Sequence, residues 1–193
     1  MATSVSTDLS TTYQKKTQKE HIKDAPDTYV GAIDADEVKN WSFSEDNNLT
    51  LHNYTWTPAL YKIFDEAIVN CRDQYVRLQQ KIKSKEKDIV PVTLIDVTVD
   101  KESGVITLMN DGNGIDVAQH PEHKIWIPEM IFGHLMTSTN YNKNEKKIVG
   151  GKNGFGVKLV FIYSKWAKIE TVDHIRKKKY VQEFKNIYRY LQV

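Results

Sequence analysis

The feature that most constrains how this 193-residue chain can fold is a helical period opening at Thr57-Pro58. Thr57 suits an N-cap, and Pro58 suits the first helical position, where no amide hydrogen is required. Leu60, Ile63, Phe64, Ala67, Ile68, Cys71, Leu78 and Ile82 then recur at helical spacing. The run from Lys81 to Lys87 reads as the charged, solvated end of that helix.

Around this helix the pattern alternates between strands and turns. Residues 41–55 read as a hairpin with a polar tip at Glu45-Asp46-Asn47-Asn48. Val92 to Val99 and Val105 to Met109 flank the turn Asp100-Lys101-Glu102-Ser103-Gly104, which predicts a second hairpin. Pro128 to Leu135 reads as helical, residues 137–152 as a long polar loop, and Gly154 to Tyr163 as a glycine loop passing into an apolar segment. Trp166 to Val172 and Tyr180 to Phe184 read as strands around the basic run Arg176-Lys177-Lys178-Lys179, a solvated turn. Residues 1–12, rich in Ser and Thr, read as a flexible tail, and residues 13–193 as one domain. The whole is α+β with a mainly antiparallel sheet.

Composition narrows the class. Hydrophobic residues make up 40% of the chain and charged residues 27%, enough to build a core. A net charge of +2 excludes a strongly basic nucleic-acid arm as the dominant theme. The single cysteine, Cys71, supports neither an internal disulfide nor a cysteine-cluster zinc site. No apolar run reaches the length of a membrane span, so no membrane partner is expected.

Three constellations carry chemistry. On the long helix, Glu66, Asn70, Asp73 and Arg77 fall in a stripe about 60° wide at the edge of the apolar face. A carboxylate there can take a proton from water, and the Asn carbonyl oxygen suits Mg²⁺; ordinary i,i+4 pairing is the competing reading. After a strand comes Asn110-Asp111-Gly112-Asn113-Gly114-Ile115, where glycines let the backbone approach a ligand and Asp111 can accept from an exocyclic amine. The competing reading is a plain Asp-Gly turn. Third, Gly150-Gly151-Lys152-Asn153-Gly154-Phe155-Gly156-Val157-Lys158 places four glycines in seven residues, allowing successive N–H groups to face one anion. The Lys-Ser/Thr of a P-loop is missing after it, and no dinucleotide fingerprint opens the unit.

A helix Glu-x-x-x-Asn, a turn of the Asp-x-Gly-x-Gly kind and a Gly-Gly-x-x-Gly-x-Gly loop, in that order, resemble the GHKL ATPase superfamily. Longer strings narrow the resemblance: Tyr13-Gln14-Lys15-Lys16-Thr17-Gln18, Pro26-Asp27-Thr28-Tyr29-Val30-Gly31, Lys62-Ile63-Phe64-Asp65-Glu66, Ile127-Pro128-Glu129-Met130-Ile131-Phe132-Gly133-His134-Leu135 and Glu145-Lys146-Lys147 are similar to eukaryotic-type type II DNA topoisomerases. The resemblance runs from about Tyr13 to Phe184. Departures fall at Ala25, where the family usually has Arg, at Val157, where it has a small Ala, and at Gln74, where it has Asn or a small polar residue.

The resemblance implies a Bergerat-type α+β sandwich, incomplete at its C-terminus, with the transducer domain and the DNA-cleavage core absent. It implies ATP and Mg²⁺ as cofactors. Glu66 becomes the general base and Asn70 the Mg²⁺ ligand. Asn110, Asp111 and Ile115 hold the nucleoside, with Asp111 toward the adenine. Ser138, Thr139 and Asn140 contact the nucleotide, and Gly151, Lys152, Asn153, Gly154, Phe155, Gly156, Val157 and Lys158 wrap the phosphates. Tyr13 belongs to a strap reaching the nucleotide of a second protomer. The implied function is an ATP-driven, homodimeric gate for DNA strand passage, nuclear in a cellular eukaryote, with a viral relative as another source. A chain of this extent is expected to leave DNA uncleaved and to hydrolyse ATP weakly. A truncated homologue acting as an interaction or decoy partner is the alternative. His134 reads as structural, His120 and His123 as loop surface, and the four tryptophans Trp41, Trp56, Trp126 and Trp166 as packing residues.

Overall fold

In a computed structural model the chain is described at residues 13–135, 137 and 154–185. The tail at 1–12 and nearly all of the 137–152 stretch lie outside the described residues. The chain divides into two units, up to Ala59 and from Leu60 onward.

In the first unit, α1 (Gln18–Asp24) starts with reciprocal capping. The Thr17 hydroxyl accepts from the Glu20 N–H at 3.3 Å, and the Glu20 carboxylate accepts from the Thr17 N–H at 2.6 Å. Apolar periodicity does not reveal this helix, because Ile22 is its one buried residue. A single turn, α2 (Pro26–Tyr29), follows with proline at its start. Strands β1 (Asp36–Phe43) and β2 (Leu49–Trp56) then pair antiparallel, with Trp41 opposite Leu51 and Phe43 opposite Leu49. The tip falls where expected, with Asn47 in the left-handed region at φ 58°. The hairpin begins five residues earlier than the sequence pattern suggests. Its first half, Asp36-Glu37-Val38-Lys39-Asn40, is mostly polar and exposed, so no buried face marks it.

Helix α3 (Pro58–Lys83) is the long helix, 26 residues from the expected proline to the basic end. It buries Ala59, Cys71 and Leu78, and also Asp73, which is 1% exposed.

The second unit carries two more hairpins. β3 (Ile95–Asp100) pairs with β4 (Val105–Asn110), and β5 (Trp166–Asp173) with β6 (Lys178–Lys185). Among the described residues each strand is laddered only to its hairpin partner, giving three antiparallel two-stranded sheets. Helices α4 (Ile127–Gly133) and α5 (Gly156–Tyr163) complete the unit. Its core is aromatic. Phe161 of α5 meets Phe184 of β6 edge-on at 5.0 Å between ring centroids, and Phe132 of α4 at 5.4 Å. Ile169 of β5 closes the cluster, with Val157, Val160, Ala167 and Tyr180 packed around it. The α5 segment and the β5–β6 hairpin are therefore one packed body.

Candidate functional site

The helix places Glu66 on a half-buried face, ion-paired to Lys62 one turn earlier at 2.6 Å. The hydrogen bond to Glu66 is the first cause raising the pKa of the Lys62 ammonium. Asn70 is exposed and turns its Nδ2 back to donate to the Glu66 carbonyl. That orientation leaves the Asn70 Oδ1 as the outward atom, the kind of oxygen a hard cation takes. Asp73, next on the stripe, is buried and receives Arg72 at 3.3 Å.

The glycine run ends directly on this helix. A Cβ built on Gly156, the first residue of α5, would lie 1.9 Å from Glu66 Oε2. Absence of a side chain at 156 thus lets the start of α5 sit on the carboxylate. Two residues into α5, Lys158 is buried at 2% exposure. Its Nζ donates to the Gly154 carbonyl at 2.6 Å and to the Thr137 carbonyl. No carboxylate meets it among the described residues, and burial pulls its pKa down to about 8.

The turn after β4 is held from several sides. Counted back from Gly112 and Gly114, the first position of the Asp-x-Gly-x-Gly pattern is Asn110, and Asp111 is the intervening residue. Asn110 is partly buried at the end of β4 and hydrogen-bonds the Cys71 thiol, whose pKa burial nevertheless raises. The Asp111 carboxylate accepts from the Thr93 hydroxyl, from the Leu94 N–H at 2.9 Å and from the Thr93 N–H at 2.7 Å. The Thr93 hydroxyl and then these amides hold its pKa at about 2. This explains why β3 starts at Ile95 and not at Val92: the Thr93 and Leu94 amides bind Asp111 instead of a neighbouring strand. Asn113 Oδ1 accepts from the Val90 N–H at 2.5 Å, and the Asn113 carbonyl accepts from Gln74 Nε2 of α3 at 2.7 Å. Gln74, a departure from the family pattern, therefore reaches the turn.

The exit of the turn lies on β5. A Cβ on Gly114 would fall 2.1 Å from the Val172 carbonyl oxygen. The Ile115 N–H donates to Thr171 Oγ1 at 2.8 Å, and the Val117 N–H to Asp173 Oδ2 at 2.9 Å. Arg176 closes on Asp173 through its backbone N–H and its guanidinium, both at 2.9 Å, and pairs with Asp116. Burial opposes ionisation of Asp173, but the bonds from Arg176 and Val117 outweigh it and bring the pKa to about 2. Arg176 is thus not the solvated turn residue that the basic run predicts. Its two carboxylate partners are 3 and 60 residues away, and the 60-residue separation gave no local signal.

The structure thus brings Glu66, Asn70, Gly154, Phe155, Gly156, Val157 and Lys158 to one part of the second unit through the contact of α3 with the start of α5. It brings Asn110, Asp111 and Ile115 to the turn that abuts α3 and β5. Tyr13 is exposed in the first unit. Ser138, Thr139, Asn140, Gly151, Lys152 and Asn153 lie outside the described residues.

This is the α+β fold of the GHKL-type ATPases. The comparisons are specific about which branch. The chain is 48% identical over 179 residues to DNA topoisomerase 2 of Acanthamoeba polyphaga mimivirus, 90% of this chain, and 44% identical over 174 residues to that of Pisum sativum. It matches the crystal structure of the ATPase region of Saccharomyces cerevisiae topoisomerase II with a TM-score of 0.80 at 41% identity, covering 92% of this chain and 44% of that one. The ATPase and transducer domains of the Balamuthia mandrillaris enzyme match with the same TM-score at 39% identity. No protein-family model matches. The chain is a homologue of type II DNA topoisomerases and has the fold of part of their ATPase region. It spans 13% of the length of the mimivirus relative and 11% of that of the Pisum sativum one.

Proposed function

We propose that the chain is an ATP-binding and ATP-hydrolysing module of a type II DNA topoisomerase N-gate. The observation that carries the reading is the seat of Gly156 on Glu66, which puts the end of a glycine-rich run and the start of a helix beside the stripe's carboxylate. Amides at a helix start attract phosphate, and a carboxylate beside them is placed to act on water near the terminal phosphorus. In this reading Glu66 accepts a proton from the attacking water, whose oxygen bonds to that phosphorus as the bridging oxygen leaves with ADP.

Asn70 fits a hard cation, because its amide nitrogen is spent on the Glu66 carbonyl and its oxygen is not. Mg²⁺ bound there supplies charge neutralisation at the phosphates. We assign the phosphate side to Gly151 to Val157 and Lys158, with Ser138, Thr139 and Asn140 as further nucleotide residues. Asn110, Asp111 and Ile115 form the nucleoside side. With the Asp111 carboxylate fastened to Thr93 and Leu94, Asn110 is the side chain placed to read the base and Asp111 shapes the turn. Tyr13 belongs to a strap that crosses to a second copy when ATP binds, and the dimer gates DNA within a larger enzyme. In a cellular eukaryote that enzyme works in the nucleus.

Calorimetric titration with a non-hydrolysable ATP analogue and Mg²⁺ tests this, with circular dichroism to confirm folding. Saturable binding abolished in Asn70→Ala is expected. A folded chain that binds nothing would refute the reading and favour a non-catalytic interaction partner.

A further inference from the structure

The turn after β4 is mounted on a strand far along the chain. Thr171 and Asp173 are alternate residues of β5, so their side chains leave the same face. That face meets the backbone of residues 114–117, where Thr171 takes the N–H of Ile115 and Asp173 that of Val117, again alternate positions. The arrangement imitates a strand ladder, with side-chain oxygens where a partner's carbonyls would be. Gly114 makes it possible, since any Cβ there would strike the Val172 backbone. Asp173 is 4% exposed and Val117 3%, so water is no ready substitute. Arg176 fixes the Asp173 carboxylate and neutralises it. The Thr171 side chain has no part in the β5–β6 ladder, which runs from Trp166–Lys185 to Asp173–Lys178, whereas Asp173 also accepts the Arg176 N–H within the hairpin's turn at 2.9 Å.

We propose that Thr171 and Asp173, locked by Arg176, are positioning residues for base recognition: they set the exit of the turn and through it the placement of Asn110. The inference rests on the nucleotide reading above. It separates the two ends of the ligand, because these hydrogen bonds reach the base side and leave the phosphate side alone.

The test measures affinity of the full chain for the adenine and guanine forms of a non-hydrolysable triphosphate with Mg²⁺. Thr171→Val keeps the shape and removes the acceptor. About tenfold weaker binding of the adenine form is expected, the size of one lost buried hydrogen bond, with the guanine form changed less than about threefold. Thr171→Ser is expected to restore the preference, and Asp173→Asn to narrow it with Thr171 intact. Equal adenine preference in wild type and Thr171→Val, or parallel loss of both nucleotides, would overturn the inference while leaving the proposed function standing. A wild-type chain that binds neither nucleotide would overturn both, and a wild-type chain that binds both alike would overturn this one.

Discussion

The two ends of the candidate site are built by opposite means. The turn of residues 110–117 is held by side chains: Asp111 binds Thr93 and Leu94, Asn113 binds Val90, Gln74 reaches in from α3, and Thr171 and Asp173 receive the exit. The stretch from Gly154 to Lys158 is held by the lack of a side chain at Gly156 and by one buried ammonium shared between two carbonyls. A turn whose polar groups are already partnered is preorganised, so little is lost when a ligand docks. A segment closed over a desolvated ammonium carries the cost of burying that charge, and its stability therefore depends on pH.

The largest effect should come where Gly156 meets Glu66, if Glu66 acts as the proposed base. Glu66→Gln is expected to lower ATP hydrolysis by about 10²–10⁴-fold, the usual worth of a general base. Analogue binding measured by calorimetry should stay within a few-fold of wild type. Loss of binding together with rate would assign Glu66 a structural role.

Lys158 gives the next largest. Its pKa is about 8 in the folded protein against 10.5 for a free lysine. Between those values the unfolded chain holds the proton and the folded chain has released it, so stability rises with pH across that window. The gain is on the order of 3 kcal/mol. Urea unfolding at pH 7.5, 9 and 10.5 should show this slope in wild type and lose it in Lys158→Met.

Gly114→Ala tests the other end. The clashing atom is backbone and cannot swing away, so destabilisation of about 1–3 kcal/mol is expected in urea unfolding. A neutral result would mean that the turn is not seated on β5.

The smallest effect sharpens the contrast within the turn. Asp111→Ala should lower the melting temperature, because it releases two backbone amides and a hydroxyl. Asn110→Ala should lower melting less, since it gives up only the bond to the Cys71 thiol, and weaken nucleotide binding by about tenfold, one hydrogen bond's worth. The reverse pattern would return base recognition to Asp111.

Much of this was legible in the sequence. Thr57-Pro58 marked the start of α3, and the hydrophobic period carried it to its basic end. Turn residues marked all three hairpins. The resemblance puts Glu66, Asn70 and the glycines at 154 and 156 in one site, and Gly156 does sit against Glu66. What escaped notice depended on partners far away or on polar residues. Helix α1 is specified by the Thr17–Glu20 cap, which leaves no apolar stripe. The start of β3 is set by Asp111, seventeen residues or more downstream. Arg176 looked like one charge in a basic run because Asp116 lies sixty residues before it. Periodicity records neighbours on the same element and is blind to such crossings.

The shared mount of the two ends has a metric consequence. Ile169 props α5 through the aromatic core, and Asp173 holds Val117 at the exit of the turn. The two residues are four apart on one strand, or about 13 Å at strand rise. The interval between the seat of α5 and the exit of the turn is thus written into a single stretch of extended backbone, which works as a gauge for the length of whatever molecule spans it.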